Sequence, residues 1–214
     1  MAETKLDYKK RDKTLYSATQ KPALVDVPMM QFIAIDGKGA PASELFQESI
    51  QVLYSLSYAI KMSKMSGQQP DGYFEYVVPP LEGLWWMGSG ATFDISKPQE
   101  WLWRLMIRQP EFVTEQAFEQ AVKKCIAKNP DLALIDNARF TAFAEGLCVQ
   151  IMHIGNYSQE QPSLDKIMQF ISDNNMVTDM NDIRKHHEIY LSDPRKGDPD
   201  KIKTILRIPV KNNT

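Results

Sequence analysis

The spacing of apolar residues changes along the chain between that of strands and that of helices. The run "MMQFIAIDGKG" is rich in strand-forming residues and stops at Gly37 and Gly39. The next stretch, "PASELFQESIQVLYSLSYAIKMSKMSG", has apolar residues every three to four positions. This pattern predicts a strand followed by a long helix, with Ser43 as its N-cap and Gly67 at its end.

The following segments predict the same order of elements a second time. "DGYFEYVVPPLEGLWWMGSGATFDI" predicts two strands joined by a proline-containing turn, and "KPQEWLWRLMIRQP" and "TEQAFEQAVKKCIAKN" predict two helices. "ALIDNARFTAFAEGLCVQIMHIGNY" alternates as paired strands do, and "SLDKIMQFISDNNM" predicts an amphipathic helix. "HHEIYLSD" and "IKTILRIPV" predict two closing strands, with the charged "DPRKGDPDKIK" as a hairpin connection.

We therefore predict an α+β fold made of two β-α-β-β units. The units span about residues 29–95 and 132–210, a helical insert spans about 97–130, and a pseudo-twofold cleft lies between the two sheets. Residues 1–28 are rich in charge and poor in periodic apolar positions, so they predict an N-terminal arm ahead of a folded domain at 29–210.

Charge and composition disfavour two classes of binding partner, nucleic acids and membranes. The chain has 25 basic and 27 acidic residues, a balance that does not favour a nucleic-acid partner. Its apolar runs are shorter than the ~20 residues that span a bilayer, which disfavours a membrane partner. The charged N-terminus lacks the apolar stretch of a secretory signal, so we expect a cytoplasmic protein. Cys125 and Cys148 are predicted to be buried free thiols.

The stretch "HHEIYL" carries candidate chemistry on a predicted strand. Alternation places His186, Glu188 and Tyr190 on one face and directs Ile189 of the other face to the core. Glu188 and Tyr190 then face either open solvent or the cleft. In the cleft, a partly desolvated glutamate beside a tyrosine could bind a cation, activate a water or hold a proton.

The four tryptophans lie close together in the sequence, at Trp85, Trp86, Trp101 and Trp103. Neighbours on a strand face opposite ways, so at least one of Trp85 and Trp86 should leave the core. Trp101 and Trp103, two positions apart on a predicted helix, are also not expected to face the core together, although this constraint is weaker than on a strand. One or two of these indoles are predicted to line an apolar pocket for a flat aromatic molecule.

The remaining motifs argue against a metal or a nucleotide. His153 on a strand and Tyr157 just after Gly155 are candidate ligand-binding residues, but the three histidines lack the spacing of a zinc site. The sequence contains no nucleotide-binding glycine loop and no nucleophile elbow. We expect neither a metal nor a cofactor.

Three stretches resemble a known family, the stand-alone GyrI-like small-molecule-binding proteins. They are "PPLEGLWW", "FAEGLCVQIMHIGNYSQE" and "HHEIYLSDPRKGDPDKIKTILRIPV", and the resemblance runs from about Val25 to the C-terminus. It implies the duplicated β-α-β-β fold and a small-molecule ligand. The same module senses drugs when it is fused to DNA-binding domains. The N-terminal arm of this chain is too short and too charged to supply such a domain.

The resemblance also implies an activity, because members of the stand-alone branch are associated with hydrolysis of cyclopropanoid DNA-alkylating toxins. In that interpretation Glu188 activates water, and Tyr190 orients the water or donates to the substrate oxygen. Trp85, Trp86 and Trp103 would form aromatic walls. Glu82 and Glu145 are rival acids, and Glu145 is also a candidate ligand-binding residue. Each stands beside a glycine at a predicted turn, where an exposed structural carboxylate is expected.

Two functions of different classes remain open at this point. One is a cofactor-independent hydrolase, and the other is a module that sequesters or senses aromatic cationic drugs. A gyrase-inhibitor-like protein is disfavoured, since its interface should be acidic and the charge here is balanced. The expected partner is an aromatic or amphipathic small molecule, and the chain is expected to be a monomer or a homodimer.

Overall fold

The computed structural model describes residues 5–88, 94, 96–192 and 198–213. They form five helices, named α1 to α5 in chain order: Tyr8–Arg11, Lys13–Tyr16, Glu44–Lys61, Glu115–Lys128 and Gln161–Asp173. They also form seven strands, β1 to β7: Ala23–Lys38, Leu81–Trp86, Leu102–Gln109, Arg139–Ile154, Met176–Thr178, His186–Tyr190 and Lys203–Asn212. None of the described helices is long and apolar enough to span a membrane.

The sheet contains the predicted duplication. Its strand order is β4-β1-β3-β2-β6-β7-β5, and an additional pairing of β4 with β7 closes six of the strands into a ring. The units β1-α3-β2-β3 and β4-α5-β6-β7 have the same order apart from the short β5 between α5 and β6, and β2 pairs antiparallel with β6 where the units meet. The α+β fold with two β-α-β-β units is therefore confirmed.

The ring of strands has two faces with different partners. Helices α3 and α4 pack on the outer face around residues such as Ile35, Leu53 and Leu105. Helix α5 packs farther along the same face on Val149 and Leu206. The inner face holds a separate apolar cluster with contributions from six strands: Val27, Phe32, Leu84, Met106, Cys148, Ile189 and Ile205.

Helix α3 begins as the sequence predicts. The Ser43 side chain accepts a hydrogen bond from the Phe46 backbone N–H at 3.3 Å, which satisfies one of the free donors of the first turn. The helix ends earlier than predicted, at Lys61, and a 3-10 turn continues to Gly67, which adopts φ 66°. Strand β1 continues through Gly37 to Lys38 and does not stop at the first glycine.

The helix predicted over 97–110 is wrong, because residues Leu102–Gln109 form strand β3. Trp103 and Leu105 pack in the outer cluster while Met106 packs in the inner one. A strand buried on both faces shows a continuous apolar run, and such a run fits a helical period equally well. Of the predicted helical insert, α4 is an α-helix and Pro98–Glu100 is a single 3-10 turn.

Two other strand predictions are corrected. The first strand predicted in "DGYFEYVV" is a loop whose Tyr76 makes an isolated bridge with Leu6. The second predicted strand corresponds at its start to β2. Its predicted continuation over 89–93 and 95 lies outside the described residues. The paired strands predicted over residues 133–157 are the single strand β4, in which Gly146 adopts φ 72°. The predicted connection at 193–197 also lies outside the described residues.

The N-terminal residues do not form a free arm. Tyr8, Leu15 and Tyr16 are buried against the inner cluster. Strand β1 begins at Ala23 and passes through Pro28, the predicted last residue of the arm. Pro28 is tolerated because it has no partner in the β1–β4 register and β3 pairs with β1 only from Gln31 onward, so its missing N–H leaves no ladder bond unmade. Aromatic residues spaced among lysines and aspartates concealed this burial from sequence analysis.

Candidate functional site

The main cleft lies on the outer face of the sheet, between α3 and α5, where β2 and β6 pair. It has a volume of about 2500 Å³, and apolar side chains dominate its lining. His186, Glu188 and Tyr190 of β6 line this cleft, whereas His187 and Ile189 point to the inner face. Of the two surroundings left open for Glu188 and Tyr190, the structure places them in the cleft.

Glu188 is held by hydrogen bonds from its own strand. The Tyr190 hydroxyl donates to Oε2 at 2.9 Å, and His186 Nε2 lies 3.2 Å from Oε1. The Glu188 side chain is 13% exposed, so part of its surface remains open to the cleft. Burial and the charge of Glu188 raise the pKa of Tyr190 well above its ordinary value, so the phenol stays protonated as a donor. The result is an oriented carboxylate with access to a ligand.

The Trp85 indole continues this chain of hydrogen bonds by donating to the Tyr190 hydroxyl at 3.0 Å. Both side chains pass over Gly83, which pairs with Glu188 across the two strands. A Cβ at Gly83 would lie 2.9 Å from the Tyr190 oxygen and 3.0 Å from the Trp85 indole nitrogen. Glycine at this position therefore permits the close approach of the two rings.

Other aromatic rings surround Trp85. Phe46 of α3 stacks on it at 5.7 Å between centroids, and Trp101 meets it edge-on at 5.9 Å. Tyr157 contacts Tyr190 edge-on at 5.9 Å and lines the cleft, as a ligand-binding residue must. Trp101 also lines the cleft and is an aromatic wall that was not among the predicted site residues.

Trp86 lies between the inner cluster and the cleft. It follows Trp85 on β2 and packs partly against the inner cluster, while the Lys185 ammonium lies 5.2 Å from its ring centroid. It also borders the cleft. Trp86 is thus the indole of this pair that leaves the core. Trp85 is more deeply buried, and it is the ring that packs beside Tyr190 and Glu188.

Three predicted ligand-binding residues are in the protein interior: Trp103, His153 and Glu145. Trp103 is 0% exposed, and its ring covers Gly37, where a Cβ would come within 2.1 Å of it. Its assignment to a pocket wall is wrong, because β3 directs it into the outer core. His153 is buried beside α5, with its ring nitrogens 3.1 Å from the Ser163 hydroxyl and the Asn156 carbonyl, and it does not line the cleft.

Glu145 and its rival Glu82 are on the inner face, behind the cleft. Neither is an exposed turn residue, because both lie within strands and both are 1% exposed. His187 lies between them, with Nε2 3.0 Å from Glu82 Oε2 and Nδ1 2.9 Å from Glu145 Oε2. Arg207 Nη1 donates to Glu145 at 3.1 Å. The buried charges thus form a balanced network that does not contact the cleft.

The neighbouring charges in this network favour a protonated His187 and an ionised Glu145. Burial acts to lower the pKa of His187, but Glu145 and Glu82 outweigh it and raise that pKa to about 9. Burial acts to raise the pKa of Glu145, but His187 and Arg207 lower it to about 2. Tyr16 donates to Glu82 at 2.9 Å, and Arg207 donates to the Leu15 carbonyl at 2.8 Å. The network therefore joins the N-terminal segment to the strand that carries Glu188.

A second carboxyl group in the cleft was missed by sequence analysis. Glu160 precedes α5, and one of its carboxylate oxygens lies within 4.8 Å of a ring nitrogen of His186 and of a carboxylate oxygen of Glu188. Its Oε1 is buried and has no hydrogen-bond partner. Burial and the charge of Glu188 raise the pKa of Glu160 to about 9. An acidic residue before a helix is usually explained by helix capping, so the sequence carried no clear signal of this contact.

Glu160, His186 and Glu188 are also residue types that bind divalent cations. Two of the three are already engaged with each other, since His186 Nε2 faces Glu188 Oε1, and Tyr190 occupies the second oxygen of Glu188. Binding of a metal would break these contacts. We therefore interpret the group as an acid–base cluster, and the expectation that no metal is needed stays a prediction.

Comparisons with known proteins agree with this architecture. A family model for the GyrI-like small molecule binding domain matches residues 20–211. An uncharacterized conserved protein from Listeria innocua is 46% identical with a TM-score of 0.92, and a hydrolase from the same organism is 44% identical with a TM-score of 0.89. Each alignment covers 97% of this chain and 100% of the other.

A more distant structure shares the fold alone. The EcmrR C-terminal domain is 13% identical with a TM-score of 0.55, over 90% of this chain and 98% of that domain. No curated protein matched the chain. Because the family model covers almost all of the sequence and the two Listeria proteins match from end to end, this chain belongs to the family of GyrI-like small-molecule-binding domains.

Proposed function

We propose that the protein is a cofactor-independent hydrolase that opens cyclopropane rings in planar aromatic electrophiles of the DNA-alkylating type. The observation that carries the proposal is Glu188, a carboxylate that His186 and Tyr190 orient in an aromatic cleft while it remains 13% exposed. The likeness to a Listeria innocua hydrolase, 44% identical over 97% of this chain, supports an enzymatic role.

The chemistry needs a water, a base and an aromatic surface. Glu188 accepts a proton as the water oxygen attacks the ring CH₂ group, and the strained C–C bond breaks. Its electron pair passes through the conjugated dienone to the carbonyl oxygen, which takes a proton from solvent and becomes a phenol. The product is the substrate plus one water, so the step requires no oxidant or reductant.

The cleft supplies the remaining requirements from its own residues. The rings of Phe46, Trp85 and Trp101 offer flat apolar surface, which suits an indole-like substrate. Tyr190 fixes the direction of the Glu188 carboxylate, so the base does not have to reorganise during the reaction. A water next to the free edge of Glu188 would have the aromatic surface beside it.

A turnover experiment tests the proposal. Wild-type protein at substoichiometric concentration is incubated with a cyclopropaindole electrophile, and the water adduct is followed by chromatography. We expect many turnovers for wild type and a loss of about 10²- to 10⁴-fold in Glu188→Gln, which keeps the shape but not the base. Glu119→Gln, at an exposed position on α4, is the matched control and should retain activity.

The alternative function is non-catalytic binding of aromatic cations, and one observation favours it. The cleft holds two carboxyl groups, Glu160 and Glu188, with aromatic rings beside them, a combination that attracts organic cations. Product that never exceeds one equivalent, or that equals the protein-free blank, would reject the hydrolase and support this alternative.

A further inference from the structure

The Glu160 side chain has no helix-capping role that would explain its burial. It stands at the start of α5, where its backbone carbonyl accepts from Ser163 and Leu164, but its side chain makes no capping hydrogen bond. The carboxyl is turned toward β6, with one oxygen within 4.8 Å of a ring nitrogen of His186 and of a carboxylate oxygen of Glu188. Its Oε1 is buried without a partner. A carboxyl group in that position needs either a proton or a cation.

The two carboxyl groups of the cleft differ in their hydrogen bonds. Glu188 has a donor from Tyr190 at one oxygen and His186 at the other, as a carboxylate requires. Glu160 has no such support at Oε1, and the nearest charge is that of Glu188. Like charges at this separation disfavour ionisation of both groups, so the less supported group keeps a proton. The raised pKa of Glu160 agrees with this assignment.

We propose that Glu160 keeps a proton when the cleft contains no cation and releases it when an aromatic cation binds. Neutral aromatic molecules bind with the proton retained. The balance is simple: the carboxylic acid becomes a carboxylate, the proton goes to the buffer, and the cation takes its place beside Glu188. Glu160 thereby determines which charge types of ligand the cleft accepts. The inference uses the cleft of the proposed function but does not require turnover.

Titratable groups of several elements lie near the pair. Those of β6 are His186, Glu188 and Tyr190, and Tyr157 lies next to Tyr190. Among the described residues, no ion pair joins Glu160 to a basic side chain, and the basic residues that line the cleft elsewhere are Lys9, Lys124, Lys128 and Lys185. His186 is the group whose protonation could imitate the effect. It is unchanged in a Glu160 variant, so comparison of the two proteins cancels its contribution.

Calorimetry with two matched probes tests the inference. N-methylquinolinium is a permanent cation, and methylnaphthalene is its neutral isostere. Each is titrated into the protein near neutral pH in buffers of different ionisation enthalpy, which reports the number of protons released. We expect close to one proton per cation and none for the neutral probe. Affinity for the cation should rise by up to about tenfold per pH unit toward pH 9, and then level off.

Substitutions show whether the released proton comes from Glu160. Glu160→Gln should bind the cation with no linked proton and a flatter pH dependence, and the matched control Glu119→Gln should behave as wild type. Glu188→Gln removes the neighbouring charge, so Glu160 should ionise more readily and release less proton on binding. This second variant keeps the test informative if Glu160→Gln fails to fold.

Several results would overturn the inference: no proton release from wild type, release that persists in Glu160→Gln, or binding of neither probe. Turnover of a cyclopropane electrophile without proton-linked cation binding would reject this inference and leave the hydrolase proposal standing. Proton-linked binding without turnover would reject the hydrolase and leave this inference standing.

Discussion

His187 and Glu188 are neighbours on β6 that point to opposite faces of the sheet, one into a buried charge network and the other into the cleft. The imidazole lies between Glu82 and Glu145, so the strand that carries Glu188 is fixed from behind. We infer that the network stabilises the position of the candidate base although it does not touch a ligand.

Replacement of His187 by Asn should therefore destabilise the protein strongly. It removes the positive charge between two buried carboxylates, and a buried ion pair that loses one partner costs about 3–5 kcal/mol. Urea unfolding followed by circular dichroism measures the difference. His186→Asn, on the cleft side of the same strand, is the matched control and should cost much less. Equal losses in the two variants would contradict the role of the network.

The same network predicts a pH dependence of stability. The folded-state pKa of His187, about 9, is above its ordinary value of 6.5, so its contribution is complete below pH 6.5 and is lost as the pH rises through 9. The folded-state pKa of Glu145, about 2, is below 4.5, so its contribution is complete above pH 4.5 and is lost as the pH falls toward 2.

The free energy of unfolding contributed by this pair should thus be greatest between about pH 4.5 and 6.5. Urea unfolding of wild type and His187→Asn across the pH range isolates it. The difference between the two proteins should shrink toward pH 9, and a difference that grows with pH above 6.5 would show that His187 is not charged in the folded protein.

Gly83→Ala should damage the cleft without unfolding the protein. The new methyl group would lie 2.9 Å from the Tyr190 oxygen and must displace either Tyr190 or Trp85. Misplacement of this kind is expected to reduce turnover about 10- to 100-fold. Gly88→Ala is the control, because its nearest neighbour there would be 4.0 Å away. Wild-type turnover in Gly83→Ala would indicate that the Trp85–Tyr190 contact is not needed.

Trp101 and Trp103 should respond in opposite ways to replacement by Ala. Trp103 is fully buried, so its loss should cost about 3–5 kcal/mol of stability. Trp101 lines the cleft, so its loss should weaken binding of a planar aromatic probe about tenfold with a smaller effect on unfolding. Thermal unfolding and a fluorescence titration on both variants make the comparison. A stable Trp103→Ala variant with impaired binding would reverse the assignment.

Much of the fold could be predicted from local sequence patterns. The alternation of "HHEIYL" identified which residues of β6 share a face, and the Ser43 cap located α3 correctly. The duplicated order of elements was also predicted, although the last strand of the first unit, β3, was predicted to be a helix.

The errors have identifiable physical causes. "LWRLMIRQ" is apolar on both faces because β3 is covered on both sides, and this removed the alternation that distinguishes a strand from a helix. Glu82 and Glu145 were misinterpreted because an adjacent glycine resembles a turn, whereas the closed sheet buries both beside His187. Glu160 comes near Glu188 only through the packing of α5 on β4 and β7, which no local pattern encodes.

The most direct test of the central claim is a single turnover of a cyclopropane electrophile in ¹⁸O-labelled water, analysed by mass spectrometry of product and protein. If Glu188 acts as a base, the first product carries ¹⁸O and the protein mass is unchanged. A first product without ¹⁸O, with the label on the protein or the electrophile attached to it, would show that a side chain attacks the ring and would contradict the account.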